Sequence, residues 1–96
     1  MSSDITCIGF QQIPSLLNVQ ALTVPAAAVF CTVQAAGQAV RFRMDGTDPT
    51  FNTGQRLTVG PDMVRIDGPL DMRAARFIQE AASATLEVHY WGATIT

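Results

Sequence analysis

The sequence predicts a small all-β protein, either an antiparallel β-sandwich or a jelly-roll-like barrel. Apolar and polar residues alternate with a period of two in the clearest segments, which is the pattern of a half-buried strand. Glycine and proline turn signals recur at the short spacing of a small β domain. The chain has 96 residues, 48% of them hydrophobic, so it has enough apolar material for one core. We therefore expect a single domain over residues 1–96.

Three runs in the first half are predicted strands because they are rich in β-branched and apolar residues. They are residues 5–10, 17–24 and 28–34, with breaks at Pro14, Pro25 and Gly37. Their alternation is imperfect, which is expected of strands buried on both faces.

The second half begins with the clearest strand. Val40, Phe42 and Met44 alternate with Arg41 and Arg43, so one face is predicted to lie in the core and the other in solvent. Short strands at residues 55–59 and 62–66 follow, joined at a Gly-Pro turn.

The last predicted strand covers residues 85–91. Leu86, Val88 and Tyr90 fall on one side of it and Glu87, His89 and Trp91 on the other.

The sequence allows two structures for residues 70–84, a helix or a hairpin. Pro69 and the helical spacing of Leu70, Ala74, Phe77 and Ala81 favour a helix. A strand at 76–79, the small residues after it and the final strand favour a hairpin, because consecutive elements tend to be neighbours. We favour the hairpin.

Charge is distributed very unevenly. Residues 5–40 contain no Asp, Glu, Lys or Arg, whereas the segment from Arg41 to Glu87 holds every charge except Asp4. We expect this neutral half to be covered by the rest of the fold and by a neighbouring subunit, in a homo-oligomer. The apolar residues proposed for subunit contacts are Phe10, Leu16, Leu17, Phe30 and Trp91. The four from the neutral half are alternatively core residues, and the sequence does not decide between the two.

Composition argues against several classes of function. A net charge of -2 and a pI near 5.0 do not suit a nucleic-acid binder. Polar residues interrupt the neutral stretch too often for a membrane span, and the first residues lack the pattern of a signal peptide. Cys7 and Cys31 both lie in apolar runs, where cysteine is usually a small buried hydrophobe.

Candidate chemistry is sparse. The single histidine, His89, lies on the predicted solvent face, so we expect no enzyme activity, no cofactor and no metal site. The polar loop around Asp45, Asp48 and Asn52 lacks the ligand spacing of a calcium loop, and its Asp-Gly and Asp-Pro pairs are turn formers. We expect an exposed structural loop there.

Several segments resemble small virion-associated proteins of tailed bacteriophages. They are residues 39–50 (AVRFRMDGTDPT), the turn and strand of 54–59, Arg-Phe-Ile-Gln at 76–79, and ATLEVHYW at 84–91. The resemblance is pattern-level. It implies a β-sandwich built into the particle, a 76–79 strand paired with the terminal strand, and no catalytic residues.

The expected function is therefore that of a non-enzymatic phage structural protein, most simply a capsid decoration or accessory protein. It would be made in the host cytoplasm and would bind other virion proteins such as the major capsid protein. The alternatives are a neck or tail accessory protein, or a carbohydrate- or receptor-binding module displayed on the particle, with Trp91 and residues 45–54 at its site. An enzyme is the least favoured reading.

Overall fold

The computed structural model describes residues 3–60 and 63–95, with side chains for 5–60 and 63–92. It contains eight strands and one short helix. They are β1 (Ser3–Ile13), β2 (Gln20–Ala21), β3 (Ala28–Ala36), β4 (Val40–Arg43), β5 (Gln55–Leu57), β6 (Val64–Asp67), α1 (Pro69–Ala74), β7 (Arg76–Gln79) and β8 (Thr85–Ile95).

The strands form two four-stranded sheets that pack face to face as a small β-sandwich, which confirms the predicted fold class. Sheet I has the strand order β1-β8-β3-β6, and sheet II has the order β2-β7-β4-β5. Every pairing between these strands is antiparallel. The long strands β1, β8 and β3 make sheet I much the larger of the two.

The core lies between the sheets and is filled by the alternate residues of each strand. Val40 and Phe42 point inward from β4, and the Phe42 ring stacks on that of Phe77 in β7 with 5.7 Å between centroids. Val88 and Tyr90 point inward from β8. The period-two predictions for β4 and β8 are thus confirmed, because each strand buries one face only.

The hairpin predicted for residues 70–84 is wrong. Pro69 opens a helix of six residues, whose Met72 is buried against the core. The chain then enters β7, which pairs with β2 and β4 in sheet II, while β8 pairs with β1 and β3 in sheet I. The small residues at 81–84 therefore carry the chain across from one sheet to the other. The pairing of 76–79 with the terminal strand, which the resemblance implied, is not formed.

Other elements also differ from the prediction. The segments 55–59 and 62–66 contain strands, but β5 lies in sheet II and β6 in sheet I, so they do not form a pair. Within 17–24 only Gln20–Ala21 is a strand. β1 is not buried on both faces, since it lies at an edge of sheet I and exposes Ile5 and Phe10. Its imperfect alternation comes from a β-bulge between Cys7 and Gly9.

Candidate interaction surface

The face of sheet I that points away from the core is set by the register of its strands. Directly opposed residues of an antiparallel pair share a face of the sheet. His89 of β8 is opposite Phe10 of β1, and Trp91 of β8 is opposite Phe30 of β3. Because Tyr90 between them is buried, these four side chains all lie on the outward face.

The outward side chains form a continuous line of contacts across sheet I, which we call the aromatic row. It runs from Phe10 through His89, Trp91 and Phe30 to Arg65. The ring centroids of Phe10 and His89 are 4.9 Å apart, and those of His89 and Trp91 are 6.5 Å apart. The row therefore has at least one member on each of the four strands.

At the β3 side of the row, two rings stack on each other. The rings of Phe30 and Trp91 are nearly parallel, with 5.8 Å between centroids and 9° between planes. The guanidinium carbon of Arg65 lies 3.8 Å from the Phe30 centroid, on the side of β6. Phe30 is thus held between a cation and an indole, and the Trp91 indole N–H donates to the Thr32 hydroxyl at 3.5 Å. These contacts hold the Phe30 and Trp91 end of the row in place.

The aromatic row has an apolar rim on β1. Phe10 is 53% exposed and Ile5, also 53% exposed, points to the same side of the sheet. Large apolar side chains that share one exposed face are typical of a surface that binds another macromolecule. Trp91 and Phe30 are half-buried, and their mutual stacking limits the freedom of both rings.

The structure brings together three of the five residues proposed for subunit contacts, namely Phe10, Phe30 and Trp91. Leu16 was assigned wrongly: it is 0% exposed and belongs to the core. Leu17 is 68% exposed but lies in the connection between β1 and β2, where the preceding carbonyl accepts a hydrogen bond from Gln79 of sheet II. It is therefore exposed, as an interface residue must be, but it is not part of the aromatic row.

The polar loop predicted at 44–54 is exposed, and Asp45, Asp48 and Asn52 all face solvent. Asp45 forms an ion pair with Arg43, which lowers the pKa of Asp45, and it also accepts a hydrogen bond from the Thr47 amide at 3.3 Å. The Asn52 side-chain oxygen accepts hydrogen bonds from two neighbouring threonine hydroxyls. Local contacts therefore occupy several of these oxygens, as in a structural loop.

A surface pocket of about 280 Å³ lies beside this loop. Its lining combines apolar atoms of Phe42 and Met44 with the charged pair Arg43 and Asp45. No group of three His, Cys, Asp or Glu side chains that suits a metal ion occurs within residues 3–60 and 63–95.

The outward face of sheet II carries two arginines that share one carboxylate partner. Arg41 and Arg56 are opposed in the register of β4 and β5, and both form ion pairs with Glu80, at 2.6 and 2.9 Å. The hydrogen bond from Arg56 and the nearby Arg41 lower the pKa of Glu80. Sequence reasoning missed Glu80 because it follows β7, whose position beside β4 was not predicted.

The two cysteines occupy different environments. Cys31 is buried on the inner face of β3, and burial raises the pKa of its thiol to about 11. Cys7 is exposed and opposes Trp91, so it belongs to the outer face of the same sheet. The prediction that both are small buried hydrophobes is therefore right for Cys31 and wrong for Cys7.

Comparison of the chain with protein-family models, curated proteins and solved structures gave no match. Within the part of the chain that the structure describes, no helix is both long and apolar enough to span a membrane. The candidate interaction surface therefore rests on the strand register and the ring contacts of sheet I alone.

Proposed function

We propose that this chain is a non-enzymatic structural protein of a bacteriophage virion, most simply a capsid decoration protein, which attaches through the aromatic row of sheet I. The observation that carries the proposal is that this row crosses all four strands of a sheet whose outward face is otherwise neutral at its β1 side. The sequence resemblance to virion-associated proteins supplies the class of particle.

The row has the chemistry of a protein-protein contact. Tryptophan, arginine and other large side chains in a preordered cluster are the usual centres of binding energy at interfaces. Complete burial of a fully exposed phenylalanine contributes about 1.5–3 kcal/mol. Phe10 is 53% exposed, so burying the rest of its surface contributes about half of that, a change in affinity of about 4- to 15-fold. We accordingly place Phe10, Trp91 and Phe30 against another virion protein, such as the major capsid protein.

The test compares two exposed phenylalanines on different surfaces. Phe10 is 53% exposed within the row, and Phe51 is 63% exposed in the polar loop. Phage particles carrying F10S or F51S are purified by density banding, and copies of the chain per major capsid protein are counted by quantitative mass spectrometry. We expect F10S to reduce the copy number at least fourfold and F51S to leave it unchanged.

The copy number of the native chain separates the structural alternatives. Hundreds of copies per particle support capsid decoration, whereas about a dozen support a neck or tail accessory protein. Absence of the chain from banded particles refutes the virion proposal. Equal losses for F10S and F51S refute the assignment of the row.

A carbohydrate- or receptor-binding module is the second candidate, and the pocket beside the polar loop favours it. Arg43 and Asp45 line this pocket together with apolar atoms, and such a mixture suits a polar ligand. The aromatic row itself suits a sugar less well, because Arg65 and Trp91 flank the ring of Phe30. Binding on a glycan array that is lost in R43A supports this candidate, and a blank array counts against it.

A further inference from the structure

We propose that β1 joins a second copy of this chain edge to edge, in antiparallel register about a two-fold axis between Ile8 and Gly9. The inference rests on the proposed function, in that it takes assembly as the protein's role, and it names the contact that links one copy to the next. The sandwich presents four sheet edges, namely β1, β6, β2 and β5.

Three of these edges carry features that discourage pairing with another chain. β2 has two residues and β5 has three, so neither offers a ladder of useful length. β6 has four residues and carries Arg65 and Asp67 on its outward face. Short length and charge are the usual means by which sheet edges avoid association.

β1 is the exception, because it is eleven residues long and has β8 as a neighbour on one side only. It carries no charge from Ile5 to its end at Ile13. Among residues 3–60 and 63–95, no strand pairs with its other edge. A strand of this length offers about one backbone hydrogen bond per residue to an added strand.

Charge argues for a second copy as the partner. When a strand pairs with itself about a two-fold axis, a charge close to the axis lies near the same charge on its mate. The neutral segment from Ile5 to Ile13 removes that repulsion. β1 is neutral from Ile5 onward, whereas β4, β5 and β6 each carry charged residues. Its edge is therefore suited to self-pairing.

The bulge in β1 fixes the register. On the β8 side, Cys7 and Phe10 are outward while Thr6 and Gln11 are inward, because the extra residue Ile8 shifts the alternation by one position. Opposed residues of a continuous sheet must share a face. An axis between Ile8 and Gly9 meets this condition, since it places Cys7 opposite Phe10 of the second copy and Thr6 opposite Gln11. An axis through Ile8 itself would oppose inward and outward residues.

The paired copies would form one continuous eight-stranded sheet, in which the two aromatic rows lie on the same side. Phe10 would then lie close to the axis in both copies. The dimer would present twice the outward surface to its binding partner, so the two contacts would act together in attachment to a particle.

The experiment measures the mass of the purified native chain by sedimentation equilibrium over a wide range of concentration. We expect a monomer–dimer equilibrium that C7K shifts at least twofold toward monomer, because it places a charge beside Phe10 of the second copy and the two new charges lie about 10 Å apart across the axis. L70K, at an 81% exposed position on α1, is the matched control and should leave the equilibrium unchanged. Circular dichroism checks that both variants are folded.

Cross-linking tests the register. The native chain, whose exposed thiol is Cys7, is mixed with the double variant C7S/F10C under mild oxidation. We expect a covalent heterodimer in the mixture and little covalent dimer in either sample alone, because position 7 opposes position 10. A monomer at every concentration, or a dimer insensitive to C7K and without the heterodimer cross-link, overturns the inference.

These results are independent of particle incorporation. A dimer with the expected cross-link in a chain that is absent from virions would refute the proposed function and keep the self-pairing. A monomeric chain that is nevertheless found in virions and depends on Phe10 would do the reverse.

Discussion

Leu16 and Leu17 are adjacent in sequence and opposite in burial, so they provide a sharp test of the fold. Leu16 is 0% exposed and Leu17 is 68% exposed. Replacing Leu16 with alanine removes three buried carbon atoms, which costs about 2.4 kcal/mol at about 0.8 kcal/mol each. The cavity left behind raises the expected loss of unfolding free energy to about 3–4 kcal/mol.

The corresponding change at the exposed neighbour should be almost silent. L17A removes the same atoms from solvent contact, and we expect its unfolding free energy to stay within about 0.5 kcal/mol of the native value. For a domain of this size the L16A loss corresponds to a fall in Tm of at least about 12 °C.

The assay is urea unfolding followed by the fluorescence of Trp91, the single tryptophan of the chain. Its indole stacks on Phe30, and unfolding removes that contact. Equal unfolding free energies for L16A and L17A would refute the placement of Leu16 in the core. A loss of dimer or particle binding in L16A at unchanged stability would instead restore its original assignment to an interface.

Two further predictions concern a turn and an ion-pair group. A Cβ atom at Gly37, where φ is +82°, would lie 2.3 Å from the Ser83 carbonyl oxygen. At Gly46 φ is +86°, but a Cβ atom there would meet nothing within 4 Å. G37A should therefore destabilise the fold more than G46A, and thermal melts of the two variants measure the difference. Ion pairs with arginines lower the pKa of Glu80 in the folded state, so its contribution is present above the unfolded pKa and is lost as the pH falls through the folded value. E80Q should therefore be less stable than the native chain at neutral pH and equally stable in acid, and a stability difference that does not change with pH would contradict this.

The fold class could be predicted because its main evidence is local. Alternation along 40–44 and 85–91 follows from the geometry of a strand with one buried face, and it needs no knowledge of the neighbours. The exposed loop at 44–54 was predictable for the same reason, since Asp-Gly and Asp-Pro pairs bond their own backbone.

Strand pairing could not be predicted because it depends on contacts distant in sequence. After Gln79 the chain crosses to sheet I, where β8 lies between β1 and β3 and pairs with both. In a hairpin with β7, β8 would leave β1 and β3 without their common neighbour. Sequence neighbours are often spatial neighbours, but a sandwich has to send some connections across its core. The ion pairs of Glu80 could not be predicted for the same reason, because Arg41 and Arg56 are distant from it in sequence.

The surface assignment depended on a distinction that composition does not make. Both Leu16 and Phe10 lie in the neutral half, and either is suitable for burial in the core or at a contact. The register of β1 with β8 places Phe10 opposite His89 on the outward face, whereas Leu16 lies after the end of β1 and is packed in the core. The bulge at Ile8 strengthens the point, because it reverses the alternation in the middle of the strand.

The uneven charge of the sequence can now be related to the two faces of the sandwich. The neutral half supplies β1 and β3 of sheet I, so the charges on the outward face of that sheet lie on β6 and β8, which come from the charged half. The charged half also supplies β4 and β5 of sheet II, with Arg41 and Arg56 outward. Glu80 pairs with both arginines, so the sheet II face keeps its charges in contact with one another. A charged, self-paired surface favours exposure to water, and an aromatic surface favours contact with a partner. If the chain coats a particle, this asymmetry gives it a single orientation, with sheet I toward the partner and sheet II toward solvent.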